Sequence, residues 1–523
     1  MAIGKQFGIL AVIALVFLGS CTNSIQDNQM PRDMMSHVSS EDGATKITSF
    51  ERGIGGLETA KNSQIVVVDD EKTYQLSSMP VIKKIDGNSI RMYGYNGQIP
   101  GPLIKVKQGS TIYVNFTNNA EFETTIHWHG LRHDFKFDGV DGISQGPVKS
   151  GESFLYKLNF PDAGIFWYHP HIREDLEQEL GLYGNILVEP KDENYFNKVD
   201  KEVTLFLDDL LIENNGAVPF DAKKSTFTLM GRFGNVMLLN GNEDYSLSVN
   251  QGEVVRFYLT DSANTRPFNF KIEGHKLKLI GSDIGKYEKE EFVDSVIISP
   301  GERYIVEALF DREGVFSIQH KTPQKAHNLG KINVIKSNSK NNNFDKLREN
   351  NDIKSDIGKF RKYFDSEPDF EFELTLSQNV MMGVGMGTSD PIEWEDTGHS
   401  EMMNRMSDTN NVKWIIKDRK TGKENLDIMY DIKKGDVKKI RIVNDKNTMH
   451  PMQHPIHLHG QRLLVLRING KQNDNSVWKD TVLIPSGQSI DLLVDFSNSG
   501  EWMMHCHIAE HLEAGMMAMF NVV

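Results

Sequence analysis

Three copies of one pair of segments constrain this chain more than any other feature. An ungapped alignment superposes GESFLYKLNFPDAGIFWYHPH (151–171), GERYIVEALFDREGVFSIQHK (301–321) and GQSIDLLVDFSNSGEWMMHCH (487–507). Each copy opens on Gly, carries Phe nine residues on (Phe160, Phe310, Phe496) and a second Gly thirteen on (Gly164, Gly314, Gly500). Alternating apolar and polar residues, a turn and a second apolar run read as two antiparallel strands. A second shared segment precedes each copy: LIKVKQGSTIYVNFTN (103–118), LSVNQGEVVRFYLTD (247–261) and YDIKKGDVKKIRIVND (430–445). Strand, Gly-centred turn, strand is again the pattern. Such repeats predict an all-β chain of three tandem sandwiches, at 61–192, 200–337 and 365–523. The Asn- and charge-rich stretch 338–364 reads as a linker.

The residues ahead of the repeats carry an address rather than a fold. Residues 1–20 hold one lysine, Lys5, and a 12-residue apolar run from Phe7 to Leu18. A membrane-spanning helix needs about 20 such residues, so the run reads as the core of a secretory signal. The ending Leu18-Gly19-Ser20-Cys21 resembles a bacterial lipobox, which implies a lipid on Cys21 and an exported protein of the cell envelope or periplasm. Residues 21–60 are polar and aperiodic and read as a flexible tether. Membrane attachment is expected only through that lipid. A net charge of −14 argues against a nucleic-acid partner. With Cys21 and Cys506 the only cysteines, no disulfide scaffold is available.

The repeats differ where chemistry is possible. Their ends read His169-Pro170-His171, Gln319-His320-Lys321 and His505-Cys506-His507. The first and third copies also have upstream clusters, His127-Trp128-His129 and His454-Pro455-Ile456-His457-Leu458-His459, where the middle copy has Pro267-Phe268-Asn269-Phe270. The outer two sandwiches are therefore expected to share a metal site, and the middle one to be a metal-free spacer with His320 as a hydrogen-bonded structural residue. On a strand, residues i and i+2 face one way and i+1 the other. Each His-x-His pair thus projects two imidazoles to one side, while Cys506 points away from His505 and His507. Cys506 then belongs to a second site, with His454, His511 and Met516. A Cys, two His and a weak Met form the ligand set of a blue-copper electron-transfer centre.

These four segments resemble the copper-ligand signatures of three-domain multicopper oxidases, the group that contains laccases, bilirubin oxidases and bacterial copper-efflux oxidases. The likeness covers roughly residues 61–523. It implies three cupredoxin-like Greek-key β-sandwiches and four copper ions: one type 1, one type 2 and two type 3. By motif position, His454, Cys506, His511 and Met516 match the type 1 ligands, and His127 and His457 the type 2 pair. His129, His169, His171, His459, His505 and His507 match the type 3 set. The resemblance implies electrons from a reducing substrate entering at the type 1 copper, crossing through Cys506 to its histidine neighbours, and reducing O2 to two waters. Four protons are consumed with them. Asp141 resembles the acid that the family keeps near the type 2 copper, and Glu510, beside His511, is a second candidate.

Fourteen of the 22 methionines fall between residues 380 and 523. Met381, Met382, Met386, Met402, Met403 and Met406 form a cluster, and thioethers are soft ligands suited to Cu(I). The substrate is accordingly expected to be Cu(I), or phenols and aromatic amines in the laccase manner. Fe(II) or Mn(II) oxidation and non-catalytic periplasmic copper binding are the alternatives. Copper nitrite reductase, a two-domain relative, is contradicted by the third sandwich. The sequence leaves the oligomeric state open.

Overall fold

The computed structural model describes residues 53–337, 344–378, 390–396 and 399–523. The proposed signal, Cys21, most of the tether, and Met381, Met382 and Met386 lie outside them. The described strands form three successive pairs of sheets, each pair enclosing an apolar core, and one two-stranded ribbon, Ile212–Glu213 with Gly216–Ala217. The first pair runs from Ile65–Val67 to Gly184–Glu189, the second from Lys201–Leu210 to Ala326–Ile335, and the third from Phe370–Gln378 to Met517–Val522. Two-residue alternation is why these segments are strands: Thr111–Asn118 buries every second side chain against the first core.

The segments that repeat are not hairpins. In each copy the two strands flanking the glycine turn belong to opposite sheets of the sandwich. Thus Ser153–Asn159 lies in a four-stranded sheet and Gly164–His169 in the five-stranded sheet facing it. A hairpin and a sheet-crossing corner share the same alternation, and only the pairing partners separate them. Gly164, Gly314 and Gly500 make this corner with φ of +150°, +148° and +144°. Side chains avoid that conformation, so the glycine spacing survives in all three copies.

Two connecting segments are more structured than their composition suggests. The end of the tether is stitched to the first sandwich, where Ala60 donates to the Ile82 carbonyl at 2.8 Å and Ile82 to that of Glu58 at 2.8 Å. The linker contains a helix, Asn351–Gly358, and a 3-10 turn, Arg361–Tyr363. Ile357 and Phe364 enter an apolar cluster that includes first-sandwich residues and Leu464 and Trp478 of the third. The linker is thus part of the mortar between outer sandwiches.

A Cβ on Gly500 would lie 2.5 Å from the Cβ of Phe135 in the first sandwich, in addition to its backbone strain. We expect Gly500→Ala to lower unfolding stability by roughly 1–3 kcal/mol in denaturant titration. Gly358→Ala, at a helix end with open space around it, is expected to leave stability unchanged or raise it.

Candidate metal centre

Register brings the histidines together. In the first sandwich His127 pairs directly with His169 across adjacent strands. In the third, His457 pairs with His505. The corresponding pair in the middle sandwich is Lys271 and Gln319, beside His320 opposite Phe270. The outer sandwiches then meet ring to ring: His129 stacks on His457 at 3.7 Å between centroids, and His127 on His459 at 4.0 Å. His171, His459 and His505 form a further group. All eight imidazoles are buried, His171 least so at 9% exposure.

Six of the eight rings are fixed by one nitrogen, which assigns the other. His127 Nδ1 faces the Asp138 carbonyl at 2.8 Å and His457 Nδ1 that of Asp480 at 3.0 Å. His169 Nδ1 faces the Pro170 carbonyl at 2.8 Å, and His505 Nδ1 that of Cys506 at 2.8 Å. A ring that donates from one nitrogen holds a lone pair on the other. His129 is inverted: its Nε2 is held by the Asp480 carboxylate at 3.0 Å and its Nδ1 is left over. The leftover atoms, Nε2 of His127, His169 and His457 and Nδ1 of His129, are buried without a hydrogen-bond partner, as are Nε2 of His171 and both ring nitrogens of His507. The Nε2 atoms of His459 and His505 face each other at 2.9 Å.

Burying so many unpaired lone pairs is unfavourable unless a cation receives them. Burial, followed by the neighbouring histidines, also pushes His169, His505 and His507 well below the ordinary imidazole pKa. Those three rings are therefore neutral, the form that binds metal.

Cys506 faces the other way, as strand alternation requires. Its Sγ lies 3.5 Å from His454 Nδ1 and 3.7 Å from His511 Nδ1, with those two nitrogens 3.3 Å apart. Met516 is buried in the same core and its carbonyl accepts from the Cys506 amide at 3.1 Å. Burial pushes the Cys506 thiol up. A bound cation is what would ionise it. One thiolate with two imidazoles suits copper, as does the histidine cluster; the donor sets fit.

The acidic residues differ from expectation. Asp141 lies in a turn bridged to Gln145, with Glu123 as its charged neighbour, and bonds to no histidine. Asp138 takes the place assigned to it. A 3-10 turn, Phe135–Phe137, turns the chain so that Asp138 Oδ2 lies 2.8 Å from His459 Nδ1, and Oδ1 3.4 Å from His127 Nδ1. Burial alone would raise its pKa, but His459 and His127 outweigh it and hold the carboxyl well below its usual range. Both aspartates precede a glycine, so the sequence offered two equivalent Asp-Gly signals.

Glu510 is buried, not exposed on its helix. It accepts from Asn264 Nδ2 at 3.1 Å and Thr265 Oγ1 at 3.2 Å and bonds to no histidine. Burial, then Asp175, pushes its pKa up to about 7. Two further acids went unread: Asp480, on His129, and Glu174, whose Oε1 lies 3.4 Å from His171 Nε2. Glu174 follows the His-Pro-His motif by three residues, a spacing that could have flagged it. Among the eight-histidine contacts, His320 takes no part; its Nδ1 accepts from the Asn269 amide at 3.0 Å, as a structural residue does.

Three family profiles described as multicopper oxidase match residues 80–193, 193–340 and 394–523. A multicopper oxidase of Staphylococcus aureus is 27% identical over 448 residues, covering 83% of this chain and 85% of that protein. The structure of a laccase-like multicopper oxidase from Ochrobactrum superposes with a TM-score of 0.68 at 22% identity, covering 88% of this chain and all of the other. That of a Campylobacter jejuni multicopper oxidase, described as a metallo-oxidase, gives 0.66 at 23% identity, over 90% and 99% of the two chains.

The geometry separates the two aspartates. We expect Asp138→Asn to slow O2 uptake at least tenfold while donor-driven reduction of the Cys506 centre, followed by its absorbance, is unchanged. Asp141→Asn should match the wild type in both assays.

Proposed function

The chain belongs to the multicopper oxidases, copper-dependent oxidoreductases that pass electrons from a reducing substrate to O2, and on that premise we propose that its electron donor is a small metal cation, Cu(I) foremost. We assign one copper to His454, Cys506 and His511 with Met516 as a weak ligand. The His127–His457 pair would hold a second, and His129, His169, His171, His459, His505 and His507 two more. When bound, copper supplies single-electron acceptance at the thiolate site and four-electron reduction of O2 to water at the histidine cluster.

The chain's own residues do the rest. Cys506 is peptide-bonded to His505 and His507, so the two donor sets are joined by covalent backbone. Asp138 and Asp480 keep the protons of His459 and His129 on the outward nitrogens, leaving the inward ones free. Trp414 lies edge-on to His454 at 4.8 Å and across His511 at 4.2 Å between centroids, excluding water from the thiolate site.

The observation that carries the donor reading is closure. His454 and His511 are 1% and 0% exposed. Residues 390–396 clamp the neighbouring Gln453: Glu393 N donates to its Oε1 at 2.9 Å, and its Nε2 to the Glu393 carbonyl at 3.1 Å. An aromatic ring has no open imidazole edge to contact, whereas a cation needs only ligands close by. Glu393 lies 3.5 Å from His450, four residues before His454. Met402 and Met406, 56% and 65% exposed and one helical turn apart, offer thioethers, as does Met449; Met403 turns into the core. With stabilised Cu(I) and a simple phenol compared side by side, O2 uptake should be much faster with Cu(I). Replacing Met402 and Met406 together by Leu should raise KM for Cu(I) several-fold. Faster uptake with the phenol would overturn the cation reading.

We further propose that the protein is exported and held at the cell envelope by lipid on Cys21, supported by the Leu18–Cys21 motif. A single chain anchors only marginally, so stable attachment calls for more than one. Cys21→Ser should move the full-length protein from the membrane to the soluble fraction; persistence in the membrane would refute the anchor.

A further inference from the structure

The middle sandwich contributes no ligand to either donor set, yet one of its side chains touches both neighbours at the histidine cluster. Arg303 opens the strand Arg303–Leu309 and is fully buried. Its Nη1 and Nη2 grip the two oxygens of Asp480 in the third sandwich at 2.6 and 2.5 Å. Its Nε donates to the Ile165 carbonyl of the first sandwich at 3.0 Å, and Nη1 also to the Gly301 carbonyl at 3.0 Å. One planar guanidinium thus joins all three sandwiches.

Asp480 is the residue through which this reaches the cluster. Its Oδ1 accepts from His129 Nε2 at 3.0 Å, its backbone carbonyl from His457 Nδ1 at 3.0 Å, and Thr481 Oγ1 lies 3.0 and 3.1 Å from the same two ring atoms. His129 and His457 are the stacked pair contributed by different sandwiches. The middle sandwich holds this segment from a second direction as well: Asp283 accepts from the amides of Arg303, Asp480 and Thr481. Gly301 completes the contact, since a Cβ there would lie 2.8 Å from the His507 ring and 3.2 Å from that of His129.

We propose that Arg303 is a positioning residue of the O2-reducing centre: its two-pronged grip aims the Asp480 carboxylate, which keeps the His129 proton on Nε2 and turns Nδ1 inward. This rests on the copper assignment above. His129 is the ring that needs the device, because it turns Nδ1 inward where His127, His169 and His457 present Nε2. A guanidinium fork fixes a carboxylate in plane, and an ammonium does not, so charge alone cannot replace it. The middle sandwich is therefore a metal-free part of the metal site and not a spacer.

The test is Arg303→Lys, which keeps the charge and loses the fork, with Asp480→Asn as the second variant, each purified full-length and loaded with copper. Copper is counted by elemental analysis, the Cys506 centre is followed by its absorbance, and the histidine cluster by electron paramagnetic resonance. Thermal unfolding of the metal-free variants is measured alongside. The expected result is selective: copper falls toward the Cys506 ion alone, the type 2 resonance is lost or altered, and the thiolate absorbance persists. O2 uptake should fall at least tenfold while donor reduction of the Cys506 centre is retained. Full copper with an unaltered resonance in Arg303→Lys would overturn the proposal, as would the same result in Asp480→Asn. Loss of both copper signatures together with early unfolding of both metal-free variants would reduce Arg303 to a scaffold residue. A wild-type chain that took up no copper would sink the copper assignment itself.

Discussion

Eight buried imidazoles, gathered where the outer sandwiches meet, are the constraint the rest of this structure serves. Left without a cation, such an array is an electrostatic liability in a low-dielectric interior, and nothing in an ordinary apolar core would hold it together. The fold meets the demand with acceptors on the far side of the rings. Backbone carbonyls of Asp138, Pro170, Asp480 and Cys506 and the carboxylates of Asp138 and Asp480 take the outward N–H groups. Asp480 is in turn fixed by Arg303 and Asp283 of the middle sandwich. The metal site is therefore a property of three sandwiches meeting, although only two carry ligands.

The same logic explains how two unlike centres coexist on one strand. Gly500–Cys506 sends His505 inward to the cluster and Cys506 to the opposite face, where His454 and His511 wait. Strand alternation fixes this division and no flexible segment intervenes. What differs between the centres is their cover. The cluster is enclosed where the first and third sandwiches meet, with Gly301 and Arg303 of the middle one against it, whereas the thiolate site is covered by Trp414 and flanked by the short 390–396 segment.

The sequence made much of this legible, and its failures have physical causes. His-x-His pairs at two-residue spacing and the odd Cys506 were readable because strand geometry ties spacing directly to facing. The repeat count followed from the corner glycines, whose conformation tolerates no replacement. That the two antiparallel strands of each copy lie in opposite sheets could not be read, since alternation and a glycine turn are common to paired strands and to corners. Asp141 was chosen over Asp138 because two Asp-Gly steps lie three residues apart, and only the 3-10 turn before Asp138 distinguishes them. Asp480 and Arg303 were invisible for another reason: they act on His129 and on each other across 351 and 177 residues of chain, with no local pattern to announce them.

Those separations also bear on when the centre can come into being. The ring stack of His129 on His457 joins residues made early and late in synthesis, and Asp480 must arrive before His129 is fixed. A nascent chain emerging from the ribosome can complete its first two sandwiches and still possess only half of the donor array. Metal acquisition is thereby deferred until tertiary docking is finished. A chain that is still threading through a translocation machinery cannot hold the assembled cluster, and the ions must be found in whichever compartment the finished fold reaches.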